Sequence, residues 1–140
     1  MPTNIKGIWM ILQTATGTNS GIKDSNHLEL QITTTNSVVK LETNNAASGA
    51  NGLVQSLVKA QATQFSWNAQ GGYWPAGALT VENISSWSLE LVAANSNASY
   101  TPRCIWIIMR DVDNNYHLAV ADRSWNKNKP LLPGIAQVIG

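Results

Sequence analysis

The chain has 140 residues and a formal net charge of +1, nine Lys or Arg against eight Asp or Glu. That length suits one domain spanning 1–140, since a single core typically serves ~100–200 residues, and an apolar content of 44% folds without a disulfide scaffold or cofactor. So neutral a surface lacks the basic stripe that displaces counterions, which excludes nucleic acid as a partner.

The opening "MPTNIKGIWMILQTATG" has a short apolar run and no small-residue cleavage signature, so no cleavable signal peptide is expected. No stretch reaches the ~18 apolar residues of a membrane-spanning helix. The expectation is a soluble chain, cytoplasmic or exported without a cleaved signal. Within the opening, "GIWMILQT" is apolar on both faces and reads as a central strand covered on both sides. "TGTNSGIKDSN" is a turn cluster that carries Asp24.

"HLELQIT" then alternates, with Leu28, Leu30 and Ile32 on one face and His27, Glu29, Gln31 and Thr33 on the other. "SVVKLET" repeats the rhythm with Val39 and Leu41 inward. "GLVQSLVKAQA" is the one helical candidate, with Leu53, Leu57 and Ala60 on a shared face. Short strands are expected at "ATQFSW" and "ALTVEN". Between them "GGYWPAG" sets Tyr73 and Trp74 side by side in a turn-like setting, belonging to no alternating run.

"WSLELVA" places Trp87, Leu89 and Leu91 together, opposite Ser88 and Glu90. "CIWIIM" is again apolar on both faces, and "YHLAVAD" aligns Tyr116, Leu118 and Val120. "RDVDNNYH" between them is a hairpin turn, since Asn114 and Asn115 tolerate positive φ. Strands with turn signals every ten or so residues predict an all-β fold, an antiparallel β-sandwich of about eight strands with Greek-key-like connections.

Catalytic chemistry finds little foothold. His27 and His117 read as surface residues, and Glu29, Glu42 and Glu90 fall on polar strand faces and read as solvated. No nucleophile elbow, phosphate loop or zinc-peptidase motif is present. An enzyme is the reading from a different class, favoured if His117, Asp122 or Glu82 converge in a pocket. Cys104 reads as a buried small hydrophobe. The triplets at Asn83 and Asn97 match a glycosylation acceptor and are read as chance in an Asn-rich chain. Asp111, Asp113 and Asn115 alternate in "DVDNN", which makes calcium a candidate ligand there and at Asp24. Against it, Tyr116 stands where a calcium loop of the helix-loop-helix type requires glycine.

The six tryptophans are the least ordinary feature. Trp9, Trp87 and Trp106 lie on strand faces with aliphatic neighbours and read as core; Trp67 and Trp125 read as strand-end residues at the core rim. Tyr73 and Trp74 read either as a lid over the end of the sandwich or as a ligand-contacting pair, since rings with a polar edge suit a surface facing sugar, lipid headgroup or protein.

"TGTNSGIKDSNHLELQI" resembles the opening hairpin of the PLAT/LH2 family. "LTVENISSWSLELVA" is similar to that family's tryptophan-led amphipathic strand, and "NNYHLAVADRSW" to its closing strand. The resemblance touches about half of the chain and leaves residues 44–66 unmatched, so an independent sandwich family is the alternative. It implies an eight-stranded β-sandwich serving as a non-catalytic module that docks to membranes or protein partners and sometimes holds calcium in its loops. Asp24 would then fall in the calcium-loop region and Trp74 would be a loop aromatic. The functional expectation is a binding module that contacts a lipid headgroup, a glycan or a protein partner through Tyr73 and Trp74. A self-assembling structural protein that forms a homo-oligomer is the alternative.

Overall fold

The computed structural model describes residues 2–16, 26–43, 62–69, 74, 79–93, 97–123 and 130–139. The strands are β1 (Ile5–Thr14), β2 (His27–Thr34), β3 (Val38–Glu42), β4 (Ala62–Asn68), β5 (Ile84–Val92), β6 (Pro102–Asp111), β7 (Tyr116–Asp122) and β8 (Gln137–Ile139). They form two four-stranded antiparallel sheets, β4-β1-β6-β7 and β3-β2-β5-β8, stacked as a β-sandwich. Among the described strands only β2–β3 and β6–β7 join neighbours directly; the other connections pass from one sheet to the other, as in Greek-key folds.

Period-2 alternation builds the core. Ile8, Met10 and Leu12 of β1 and Ile105, Ile107 and Met109 of β6 point inward. They meet Leu28, Leu30 and Ile32 of β2 and Trp87, Leu89 and Leu91 of β5. Each such side chain contributes about 1.5–3 kcal/mol by leaving water. Trp67 and Phe65 enter the same core from β4 with their rings 6.5 Å apart. The Trp67 indole N–H donates to the Glu42 carbonyl at 3.0 Å, which ties the edge strands β4 and β3 together across the sandwich.

The turns follow from their sequences. In "TTTNS" the Thr34 hydroxyl accepts from the Ser37 N–H at 3.1 Å and donates to the Ser37 carbonyl at 3.0 Å, closing the β2–β3 hairpin. In "DVDNN" an Asp111 carboxylate oxygen accepts from the Asp113 and Asn115 amides at 2.8 and 3.0 Å, and Asn114 takes φ +67°.

Several expectations are corrected. β1 and β6 are central strands, but their outer faces are not fully buried: Trp9 and Trp106 point away from the core and are partly exposed, whereas Trp87 is buried. Trp67 lies inside the core instead of at its rim. "YHLAVAD" does not keep one face. A register shift between the Ile107 and Ile108 pairings leaves Ala119 unpaired, so Leu118 faces out while Val120 faces in. "ALTVEN" is not a strand: Leu79 is buried, Thr80 bridges Asn4, and Val81–Asn83 form a 3-10 turn in which Thr80 and Asn83 cap each other. Glu29 is buried to 9% exposure, not solvated. Cross-strand pairing puts Glu42, Glu29 and Glu90 in one row, where Gln31 donates to Glu29 and Glu90 at 2.8 and 3.1 Å. The helical candidate "GLVQSLVKAQA" lies outside the described residues except for Ala62, the first residue of β4.

Candidate functional site

The outer face of the β4-β1-β6-β7 sheet is assembled in cross-strand rows. Asn68, Gly7, Arg110 and Tyr116 lie opposite one another in the first row. Ser66, Trp9, Ile108 and Leu118 form the second, and Gln64, Ile11 and Trp106 continue into the third. Six large apolar or aromatic side chains, Trp9, Ile11, Trp106, Ile108, Tyr116 and Leu118, therefore share a face on the outside of the sandwich. Tyr116 and Leu118 are 62% and 65% exposed. The Trp9 and Tyr116 rings sit 6.1 Å apart at 46°. An antiparallel sandwich normally wets this side of each sheet, and contiguous apolar patches of this kind mark interaction surfaces.

At the end of the face nearest the β6–β7 turn lies a cleft of about 310 Å³ lined by Lys6, Gly7, Trp9, Ser66, Asn68 and Arg110. Its local cause is Gly7. In its cross-strand row glycine leaves a gap between Asn68 and Arg110, and a Cβ there would stand 3.5 Å from the Trp9 ring. A register shift in β1 between Ile5 and Gly7 brings Lys6 to the same place. The Lys6 ammonium donates to the Asn114 side-chain carbonyl. The Arg110 guanidinium lies over the Tyr116 ring, 5.4 Å from its centroid, while its Nε is buried with no hydrogen-bond partner. Among the described residues neither Lys6 nor Arg110 is ion-paired with a carboxylate.

The opposite outer face differs in kind. It carries the Glu42, Glu29 and Glu90 row, with Lys40 3.9 Å from Glu29 and His27 3.5 Å from Glu42. One outer face thus carries a carboxylate row together with the exposed Val38 and Val138, the other a larger aromatic and aliphatic set with a cationic end.

The residues singled out from sequence fall elsewhere. Tyr73 and Asp24 lie outside the described residues. Trp74 is half-buried and packs against the hydrophobic core. Asp111 is 1% exposed, and both of its oxygens are engaged: one by the turn amides, the other by the His117 ring at 2.8 Å. That contact with His117, followed by the turn amides, holds the Asp111 carboxyl below its ordinary value. Asp113 is exposed and meets Asp111 through its backbone N–H. Among the described residues no group of three or more His, Cys, Asp or Glu side chains is placed to hold a metal ion.

His117 is half-buried instead of lying free on the surface, and it is paired with Asp111, not Asp122. Glu82 accepts a 2.6 Å hydrogen bond from the Thr3 N–H at the surface; that bond lowers its pKa. Cys104 is buried, its thiol donating to the Arg123 carbonyl. Asn83 spends its side chain on capping the Val81–Asn83 turn.

Sequence reasoning did not find the outer face or the cleft. The signal was in "GIWMILQT" and "CIWIIM", apolar on both faces in a chain whose other strands have one wet side. Among the described residues no helix packs on the second face of these strands, where Trp9, Ile11, Trp106 and Ile108 are partly exposed.

The sequence matches no protein-family model, and no curated protein resembles it. Among solved structures the fold is similar to that of an alpha toxin from Clostridium absonum, with a TM-score of 0.72 and 10% identity over 99% of this chain. It is also similar to Clostridium perfringens alpha-toxin isolated from an avian strain, with a TM-score of 0.70 and 11% identity over 98% of this chain. The chain spans 32% of the length of each toxin. At such identity the likeness is one of fold, a PLAT-like β-sandwich.

Proposed function

We propose that this chain is a membrane-contact module that lies on a lipid surface through the outer face of the β4-β1-β6-β7 sheet. The observation that carries this reading is the row of Trp9, Ile108 and Leu118, flanked by Ile11, Trp106 and Tyr116, on the outside of a sheet. Indole and phenol rings prefer the boundary where an apolar body meets a polar edge, and bilayer interfaces are such boundaries. Charge supports the same orientation: Lys6 and Arg110 border the apolar face, while Glu29, Glu42 and Glu90 lie on the far side, away from an anionic leaflet. The PLAT resemblance supports it as well, since modules of that family dock to membranes or protein partners. Among the described residues no helix is long and apolar enough to cross a membrane. With a net charge of +1 the electrostatic share is small and adsorption is modest.

The test is flotation with phosphatidylcholine vesicles for the wild type, Leu118→Asp and a Tyr73→Ala/Trp74→Ala double variant. Leu118 is about two-thirds exposed, so inserting it is worth about 1–2 kcal/mol. Leu118→Asp is expected to lower partitioning by roughly ten-fold or more with an unchanged melting temperature. Undiminished binding by Leu118→Asp would refute the face, and loss confined to the Tyr73/Trp74 variant would move the contact to that loop. A wild-type dimer in light scattering that Leu118→Asp dissociates would show that a second copy covers the face.

A further inference from the structure

The geometry points to the cleft beside Gly7 as an oxyanion subsite that takes the phosphate of a phospholipid headgroup when the sheet face lies on a membrane. This deepens the membrane-contact reading and rests on it. Three features of the cleft converge. The first is charge: Lys6 and Arg110 both line it, and among the described residues neither is neutralised by a carboxylate. Asp111, adjacent to Arg110 in sequence, is not available to neutralise it, because its carboxylate is turned inward onto His117 and the turn amides.

The second is an orphan donor. Arg110 Nε is buried without a hydrogen-bond partner, an arrangement that costs about 1–3 kcal/mol unless something accepts from it. A phosphate oxygen can accept from it once the guanidinium turns from Tyr116 toward the cleft, and the planar fork suits phosphate better than an ammonium would. The third is shape. Gly7 empties the floor of the cleft, the Trp9 ring forms one wall, and Ser66 and Asn68 supply polar walls from β4. At about 310 Å³ the space is of the size that holds a small ligand.

Position joins these features to the membrane. Arg110 stacks on Tyr116, and Trp9 contacts the same Tyr116 ring, so the cleft opens at the border of the apolar face. Side chains that insert among acyl chains thus stand next to cations at headgroup depth. Such a site selects for phosphate exposed on the lipid, as in phosphatidic acid, over phosphate shielded by choline.

Two arms separate the subsite from the surface it rests on. In the first, glycerol 3-phosphate is titrated against the labelled protein while the Gly7 and Arg110 amides and the Trp9 indole N–H are followed by NMR. Saturable shifts are expected in the wild type and are expected to vanish in Lys6→Gln/Arg110→Gln. Gly7→Val, which fills the floor while leaving both cations in place, is expected to weaken the shifts as well. In the second, the same proteins and Leu118→Asp are floated with phosphatidylcholine vesicles with and without phosphatidic acid.

The wild type is expected to prefer the phosphatidic acid vesicles. Lys6→Gln/Arg110→Gln is expected to lose roughly 25-fold of that binding, about five-fold per cation, and to keep its binding to phosphatidylcholine. Leu118→Asp is expected to weaken both but to keep the glycerol 3-phosphate shifts. Absent shifts together with a preference for phosphatidic acid that survives in Lys6→Gln/Arg110→Gln would overturn the subsite and leave the membrane face standing. Saturable glycerol 3-phosphate binding by a protein that floats with neither vesicle would overturn the lipid assignment and with it the membrane reading, leaving a site for free phosphate.

Discussion

Trp67→Phe tests the claim that one indole joins the two sheets at their edges. Trp67 is 1% exposed, and its N–H reaches the Glu42 carbonyl at 3.0 Å, from β4 to β3. Phenylalanine keeps an aromatic ring in the core but removes that donor. A neutral hydrogen bond of this kind contributes about 1 kcal/mol net, and the orphaned carbonyl prevents the loss from being smaller. The smaller ring leaves a void of roughly 40 Å³, which at ~24 cal/mol per Å³ adds about 1 kcal/mol. The expected destabilisation is therefore about 2 kcal/mol, or a fall of roughly 6–10 °C in melting temperature for a chain of this size. Urea unfolding followed by far-UV circular dichroism reads it directly. Trp9→Phe is the comparison, because Trp9 sits on the outer face, and it should cost well under half as much. A Trp67→Phe loss below about 0.5 kcal/mol, or equal losses for the two variants, would refute the assignment of Trp67 to the inside and Trp9 to the outside.

Two further outcomes follow from buried polar groups. Tyr100→Phe leaves the buried Thr14 hydroxyl without its 2.9 Å partner and should cost about 1–2 kcal/mol in urea unfolding. Burial pushes the Tyr100 phenol above its ordinary value of 10.0, so its contribution is present below that pH and is lost as pH rises further; Tyr100→Phe should lack that alkaline decline, and parallel declines would refute it. For Asp111, held below its ordinary value of 3.8 first by His117, the contribution is present above that pH and is lost as pH falls through the lower folded value. The stability gap between the wild type and Asp111→Asn should accordingly be widest near neutral pH and close in acid, whereas a gap independent of pH would refute the role given to the pair.

The inner faces of the sandwich were legible because their signal is local. Alternation over a few residues is enough to place Leu28, Leu30 and Ile32 on one side of β2 and Trp87, Leu89 and Leu91 on one side of β5, and these are the residues that are buried. Where the reading failed, the cause was non-local. The register shift that excludes Ala119 from pairing turns Leu118 outward and Val120 inward, and nothing in "YHLAVAD" marks where a strand gains an extra residue. The carboxylate row of Glu42, Glu29 and Glu90 exists only once three strands are in register, so each glutamate read singly looked solvated.

The candidate site failed to emerge from sequence for a related reason, and that reason bears on function. A strand that is apolar on both faces carries the same pattern whether its second face is covered by its own chain or by something outside it. In "GIWMILQT" and "CIWIIM" the inward set, Ile8, Met10, Leu12, Ile105 and Ile107, already fills the core. Trp9, Ile11, Trp106 and Ile108 point the other way: they remain partly exposed and neighbour the still more exposed Leu118 and Tyr116. Exposed apolar surface lowers solubility, and the other sheet of the same sandwich carries a row of glutamates in the corresponding outward positions. A role in contact accounts for the asymmetry. Gly7 fits the same account: it stands beside the β1 register shift and next to the Trp9 ring, where a larger side chain would narrow the gap between Trp9, Asn68 and Arg110.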